Sequence, residues 1–509
     1  MKHAIEPSRP AARMAKHAIA LAAGVILLTA CSLAPVEQRP ELAIPAIFAE
    51  SAHQSTSSLT PAEDPGRWQP AQPADQQRPS PWWQVFGDPL LVQLEEEALQ
   101  ANPDVSIAMA RLKQARALNS RGESERWPEI DAGFGPTRQR SSGASAGRGD
   151  GAPASTQTLW RAQVSVAYEA DLFGRVSSSV AAARADEAQQ QALAHQMLLL
   201  VQADVAGTYF SLRQLEGELR LLRETTKLRA DAVSLLEQRL GAGAVAQFVL
   251  DQARTELFTA RAEQLALEQQ HALSAHALAI LLGKAPASFT LQAQPLQAID
   301  VQLPAGMPST LLERRPDIAA AERAMAAENA RIGVARAAFF PSLSLTGSLG
   351  YESAELGNLA RWSQRTFLLG PLVGAALSMP LFDGGRRRAD VERVRGVYQE
   401  RVAEYRKTVL QAFREVEDSL ASMRTLDARI VQQRGAEQAS SRVAAAAKAR
   451  FDEGDVDYLT VVDAERTLLH SRQSLIQSEG ARARATVDLV RALGGGWQSS
   501  AAELSDAGG

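Results

Sequence analysis

The sequence predicts a mixed fold written twice, in which long coiled-coil helices are joined to membrane-type β-strands, four strands to the chain. Three observations carry this. The stretch Arg239–Ala253, RLGAGAVAQFVLDQA, returns as Arg450–Ala464, RFDEGDVDYLTVVDA, so that Gly243 falls on Gly454 and Ala253 on Ala464, 211 residues on. A single run without proline, residues 175–240, carries leucine and valine at heptad-like steps (Leu212, Leu215, Leu219, Leu222; Val233, Leu236, Leu240), the spacing of helices that pack along one another. The segment Leu159–Ala170 alternates, with Trp160, Ala162, Val164, Val166 and Tyr168 on one side and Arg161, Gln163, Ser165 and Glu169 on the other, a strand between two different solvents. A duplication of so long a period is one structural unit repeated, not a solenoid.

The chain has 509 residues, with 54 basic against 58 acidic side chains and 5% aromatics. A net charge of −4 gives no basic footprint for nucleic acid. At the start, Lys2, Arg9, Arg13 and Lys16 precede the short apolar run Ala18–Ala30, a secretory signal too short to span a bilayer. Leu28-Thr29-Ala30-Cys31 resembles the lipobox of bacterial lipoproteins. That resemblance implies a signal peptide over residues 1–30 and an N-acyl and S-diacylglycerol lipid on Cys31, the only cysteine. Ser32, rather than Asp, implies sorting to the outer membrane. Past Cys31 no apolar run approaches about 20 residues, so any crossing of a membrane must use strands.

Residues 31–81, rich in Pro, Gln and Ser, read as an extended tether. The first repeat, residues 82–305, opens at Trp82-Trp83 and continues into a short amphipathic helix through Leu90, Leu91, Leu94 and Leu99. Asn102-Pro103-Asp104 starts a second helix, with Asn as N-cap and Pro in the first turn, and Pro128 stops it. Strands follow at residues 129–138 and 159–170, separated by a Ser/Gly/Arg-rich segment whose Arg148-Gly149-Asp150 is a chance tripeptide. Residues 175–240 form a helix of about 100 Å, Gly241 and Gly243 supply positive φ at the turn, and residues 247–282 return over about 55 Å. The shorter helices, end to end, nearly match the long one.

The second repeat, residues 306–497, follows the same plan. A helix runs from Pro316 to about Phe340, a strand opens at Pro341, and a loop spans about residues 352–366. A fourth strand is expected at Gly370–Leu381, then a long helix to Phe451, the turn at Gly454 and a return to about Leu493. Residues 498–509 read as a disordered tail. Four lipid-facing strands cannot stand alone, because an open sheet edge has no water to bond to inside a bilayer and single-chain barrels need about eight strands. Other copies must complete the barrel.

Trp83-Gln84-Val85-Phe86-Gly87-Asp88-Pro89, Ala170-Asp171-Leu172-Phe173-Gly174-Arg175, Leu311-Leu312-Glu313-Arg314-Arg315-Pro316-Asp317, Pro380-Leu381-Phe382-Asp383-Gly384-Gly385-Arg386 and Ala492-Leu493-Gly494-Gly495-Gly496-Trp497 resemble the signature of TolC-like outer-membrane efflux proteins. The lipobox is similar to that of their OprM- and NodT-like lipoprotein branch. The resemblance covers Trp82 to Trp497. It implies a homotrimer with a 12-stranded β-barrel in outer-membrane lipid and an α-helical barrel in the periplasm. It further implies a periplasmic adaptor protein docking at the helix tips (Gly241, Gly243, Gly454) and an inner-membrane pump of RND type. The function implied is the passive exit duct of a tripartite efflux system for drugs or other toxic small molecules.

The same resemblance puts a periplasmic gate at Leu459 and Asp463. Three leucines around an axis close a pore by dewetting, and three carboxylates attract cations. Thr460 stands where some relatives carry a second acid, and the first-repeat counterpart of Asp463 is Gln252. Other readings are weaker. The seven histidines are scattered, Asp452–Asp457 lacks the glycine position of a calcium loop, and no nucleophile–base set is present, so no catalytic, cofactor or metal residues are expected. A coiled-coil adaptor lipoprotein would not need the strands. A duct for an ATP-driven type I secretion system stays open as an alternative, since cargo choice lies in the pump.

Overall fold

Prolines set the first boundaries. Pro89 and Pro103 each occupy the first helical turn, where a missing N–H costs nothing. Asp88 caps α1 (Pro89–Ala101), accepting from the amides of Leu90 and Leu91 at 3.0 and 3.3 Å. The Asn102 Oδ1 accepts from the amides of Asp104 and Val105 at 2.8 and 3.1 Å and so caps α2 (Pro103–Ser124). The structure is a computed structural model, and it describes residues 33–36, 40, 47–52, 81–142, 153–294, 311–369 and 375–495. The rest of the first repeat is β1 (Glu129–Ser141), β2 (Ser155–Ala170), α3 (Arg175–Gly241) and α4 (Gln247–Leu281). The second repeat is α5 (Pro316–Ala337), β3 (Ser342–Ser353), β4 (Arg365–Leu369), β5 (Ala375–Ser378), α6 (Arg386–Asp452) and α7 (Tyr458–Ala492).

The duplication is matched element by element. Both long helices have 67 residues and both return helices 35. Carboxylates start the long helices: Asp171 accepts from the amides of Val176 and Ser177, and Asp383 from those of Gly385 and Arg387. The described residues form two compact units. One draws on Met1–Pro40, Lys113–Gln189 and Ala321–Tyr405, and the other on Glu41–Leu112, Gln190–Ala320 and Arg406–Gly509. Each unit takes a share of both repeats.

The first unit contains the sheet. β1 pairs β2 and β2 pairs β3, all antiparallel, while β4 and β5 both pair the far side of β3. The expected fourth strand at Gly370–Leu381 is therefore corrected. Pairing begins at Arg365 inside the expected loop, is seen again at Ala375–Ser378, and ends before Met379. Leu368 beside Phe367 and Leu369 breaks the alternation that marks the other strands.

The second unit holds the main core. Trp82, Trp83, Leu91, Leu94 and Ala98 pack on Val205, Tyr209 and Leu212 of α3. The Trp82 indole N–H donates to Gln202 at 3.1 Å, so the ring is buried without stranding its polar atom. The heptad residues Leu212, Leu215, Leu219 and Leu222 are all buried. Nearer the tip, Val233 and Leu236 meet Leu250, Ala253 and Leu257 of α4.

The tether is not wholly free chain. In the first unit, Asn329 Nδ2 donates to the Pro35 carbonyl at 2.8 Å and Arg336 to the Leu33 carbonyl at 3.3 Å. In the second, Phe48 is buried and Glu417 accepts from the amides of Ala49 and Glu50. Cys31, Arg148–Asp150, Trp497 and the tail lie outside the described residues.

Candidate functional site: an open-edged sheet and two helix tips

Register decides what each face of the sheet presents. One row runs Ile130, Val166, Gly347, Leu369; the next Ala132, Val164, Leu349, Phe367; the next Phe134, Ala162, Tyr351, Arg365. This face is apolar yet exposed: Ile130 and Phe134 are each 67% exposed, Leu349 66% and Phe367 76%. The rows between them carry Asp131, Gln163, Ser165, Ser348 and Thr366. On that polar face Arg161 pairs with its cross-strand neighbour Glu352 at 2.6 Å. Gly350 lies against Gln163, where a Cβ would meet the neighbouring backbone. An apolar face on one side and a polar face on the other is the pattern of a strand between lipid and a water-filled lumen. Neither outer edge, β1 nor β4–β5, has a strand partner among the described residues. No helix among the described residues is long and apolar enough to cross a membrane.

Exposed aromatics cluster where the strands meet the helices: Trp127 before β1, Phe339 and Phe340 before β3, and Phe382 after β5. Phe173, after β2, stacks on Phe340 with ring centroids 5.0 Å apart. Girdles of aromatic residues sit at the membrane interfaces of transmembrane barrels. A cavity of about 880 Å³ opens at the same level, lined by Glu169, Arg175, Asp186, Arg331, Arg386 and Arg393 among others. Arg175 pairs with Glu169 and Arg331 with Asp186. Burial raises the Asp186 carboxyl above its ordinary range, and Arg331 opposes that shift.

The helix tips belong to the second unit. Gly243 and Gly454 take φ of +71° and +82°, with matching closing bonds. Gly243 donates to Leu240 and Ala244 to Arg239; Gly454 donates to Phe451 and Asp455 to Arg450. Residues with a side chain are strained at such φ. Gly241 does not share this role. It is the last residue of α3 and has no positive φ, so the expectation for it is corrected: the i→i−5 bond from Ala244 leaves Gly243 alone as the left-handed cap.

Leu459 and Asp463 lie one helical turn apart on α7, both exposed. Asp457 caps that helix through Thr460, whose amide and hydroxyl both donate to it; these bonds hold the Asp457 carboxyl below its usual range. Asp463 lies 3.8 Å from Arg466. Arg466 also donates to Glu256 of α4 through two nitrogens, and Arg229 of α3 meets the same carboxylate at 3.3 Å. Tyr458 packs against the apolar clusters of both hairpins, and Arg239 lies over the Phe451 ring at 5.4 Å. The two hairpins are thus clasped beside the expected gate. Sequence reading missed this clasp, although a carboxylate within the buried stripe Leu250, Ala253, Leu257, Ala260 was a signal for it. Among the described residues no group of His, Cys, Asp or Glu could hold a metal ion.

Comparison with known proteins agrees with this geometry. The family described as "Outer membrane efflux protein" matches residues 94–284 and 307–495. The toluene efflux pump outer membrane protein TtgF of Pseudomonas putida is 33% identical over 491 residues, 96% of this chain and 98% of its own. The cation efflux system protein CusC of Escherichia coli O6:H1 is 31% identical over 476 residues, covering 93% and 97%. A crystal structure of a membrane protein from Pseudomonas aeruginosa superposes with a TM-score of 0.79 at 32% identity, covering 91% of this chain and all of the other.

Proposed function

The chain belongs to the outer membrane efflux protein family, and from that premise we propose that three copies close their sheets into one 12-stranded barrel. It is an outer-membrane component of an efflux pump, a channel and not an enzyme. The sheet carries the proposal: four strand positions, a lipid-compatible face, a polar face and two edges unpaired among the described residues. Inside a bilayer those edges must be paired, and an identical chain supplies the complementary edge. The helical part offers a second surface of the same kind. On α4, Phe258, Leu265, Leu273 and Ile280 are each about 60% exposed or more, at steps of seven, eight and seven, a coiled-coil stripe left uncovered by the described residues.

In this reading the polar faces line a water-filled duct that conducts passively. Leu459 and Asp463 of three copies form its periplasmic constriction, and the Arg466–Glu256 clasp keeps the hairpins together. The tips at Gly243 and Gly454, with the adjoining Gly241, receive a periplasmic adaptor, which links the duct to an inner-membrane pump of RND type. Cys31 carries the lipid. Two residues span at most about 7 Å, so holding Leu33 on Arg336 keeps the lipid close to the base of β3. The relatives' names range from toluene to cations; small molecules such as drugs or other toxic compounds are the cargo of this reading, and the choice among them lies in the pump. The test is the mass of the protein in mild detergent. A trimer is expected, and a stable, folded monomer would overturn the shared barrel.

A further inference from the structure

The outward face of the sheet changes character at the end away from the helices. It is apolar from Ile130 up to Phe134, whose ring stacks near Trp160 with centroids 6.1 Å apart. Beyond that pair, alternation puts Arg138 and Arg140 of β1 on this same outward side, opposite Thr158 and Thr156 of β2. Both arginines are exposed and have no ion pair among the described residues. At the other edge of the sheet Arg365 of β4 shares the outward row of Phe134, Ala162 and Tyr351. Its guanidinium lies 3.3 Å over the Trp362 ring, and its Nε donates to the Trp362 carbonyl at 2.8 Å, leaving two terminal nitrogens without a protein partner among the described residues. Arginine on a lipid-facing surface is strongly destabilising in hydrocarbon and tolerated near the interface. These side chains therefore mark the headgroup level of the outer leaflet, beyond an aromatic belt.

Within one copy the two edges lie about 14 Å apart, three strand spacings. Closing the barrel brings β1 of one copy beside β4 of the next, and the stagger that tilted strands require at that seam offsets the row of Arg365 towards Arg138 and Arg140 of the neighbouring β1. We propose that every junction binds the phosphate groups of an anionic glycolipid of the outer leaflet, held by Arg138 and Arg140 of one copy and Arg365 of its neighbour. The guanidinium fork matches a phosphate in a bidentate way, which a zwitterionic phospholipid headgroup with its own cation does not exploit as fully. Trp362 adds an interfacial anchor under Arg365. This proposal rests on the shared-barrel reading, because the site is incomplete in one chain.

Native mass spectrometry of the purified full-length protein, offered bisphosphorylated or dephosphorylated lipid A, tests it. Up to three lipids per trimer should be retained, with about a tenfold preference for the phosphorylated form. R138Q/R140Q/R365Q should lose that preference, while R138K/R140K/R365K should keep part of it. Equal retention of both lipids, or a glutamine variant that binds as the parent does, overturns the site. A spectrum with monomers alone overturns the barrel and the composite site with it. Assembly mass is read separately from lipid occupancy, so the two failures are distinguishable.

Discussion

Asn102 and Arg315 perform the same task in the two halves of the chain with different chemistry. Asn102 Nδ2 donates to the carbonyl of Leu281, the last residue of α4, at 2.8 Å. Arg315 Nη1 donates to the carbonyl of Ala492, the last residue of α7, at 2.9 Å. Each sits just before the proline that opens a helix, α2 or α5, and each satisfies a helix-end carbonyl left without an internal partner. Gly283 and Gly494 then cross closely over Ala101 and Arg314, with φ of +67° and +91°. Arg315 also pairs with Asp317 and Glu415 and is 7% exposed. Arg315→Ala should therefore cost about 3 kcal/mol, because it removes a buried guanidinium that serves the half-buried Asp317 and Glu415 carboxylates and the Ala492 carbonyl together. Asn102→Ala should cost about 2 kcal/mol, a cap and one hydrogen bond. Thermal melts in detergent check the order; equal losses would refute the extra role of the ion pairs.

Glu95 gives a pH prediction. Its carboxylate is fully buried on α1, with neither oxygen hydrogen-bonded among the described residues, and burial pushes its pKa up to about 9. The sign follows from which state can ionise. Between the ordinary value of 4.5 and about 9 the unfolded chain releases the proton and the folded chain keeps it, so stability falls as pH rises. At pH 7 the cost is on the order of 3 kcal/mol. Melting temperature against pH should decline across that window in the parent and lose most of this decline in Glu95→Gln, and Glu95→Leu should be more stable than the parent at pH 8. An unchanged slope in Glu95→Gln would place the titration elsewhere.

At the tips, Asp463→Ala should weaken cation block of the pore in single-channel recordings. Glu256→Gln and Arg466→Ala should raise conductance instead, because they release α7 from α4 and α3. If all three variants leave conductance and cation sensitivity unchanged, neither the constriction nor the clasp lies on the conduction path.

Local pattern made most of the fold legible. Pro103, Pro316, Gly243 and Gly454 punctuate the helices within a few residues of the observed ends, and Trp160 to Tyr168 face one side as alternation requires. What depended on distant partners was not legible. The Arg466–Glu256 bonds join residues 210 apart and the Asn329–Pro35 bond residues 294 apart, and neither leaves a periodic trace. The fourth strand failed for a different reason. Leu368 sits on the polar side between Phe367 and Leu369, so the run shows no period of two. Gly241 was a composition argument, since a glycine near a turn need not be the one that takes positive φ.

The docked tether supplies the last prediction. Gly333 of α5 lies directly under Ala34: a Cβ there would stand 2.7 Å from Ser178 Oγ and 3.0 Å from the Ala34 Cβ. Gly333→Val cannot keep all three groups in place. α3 and α5 pack against each other through other side chains, and the chain at Leu33–Val36 is held by two carbonyl bonds, from Arg336 and Asn329. The weaker layer should yield, so the tether lifts while the sheet stays folded. A spin-label pair at Val36 and Ala335 should then show a broad, longer distance in Gly333→Val and a narrow one in the parent. If the distance stays narrow in the variant, the tether is anchored by contacts other than this seat, and holding Leu33 on Arg336 is not what fixes the position of the lipid.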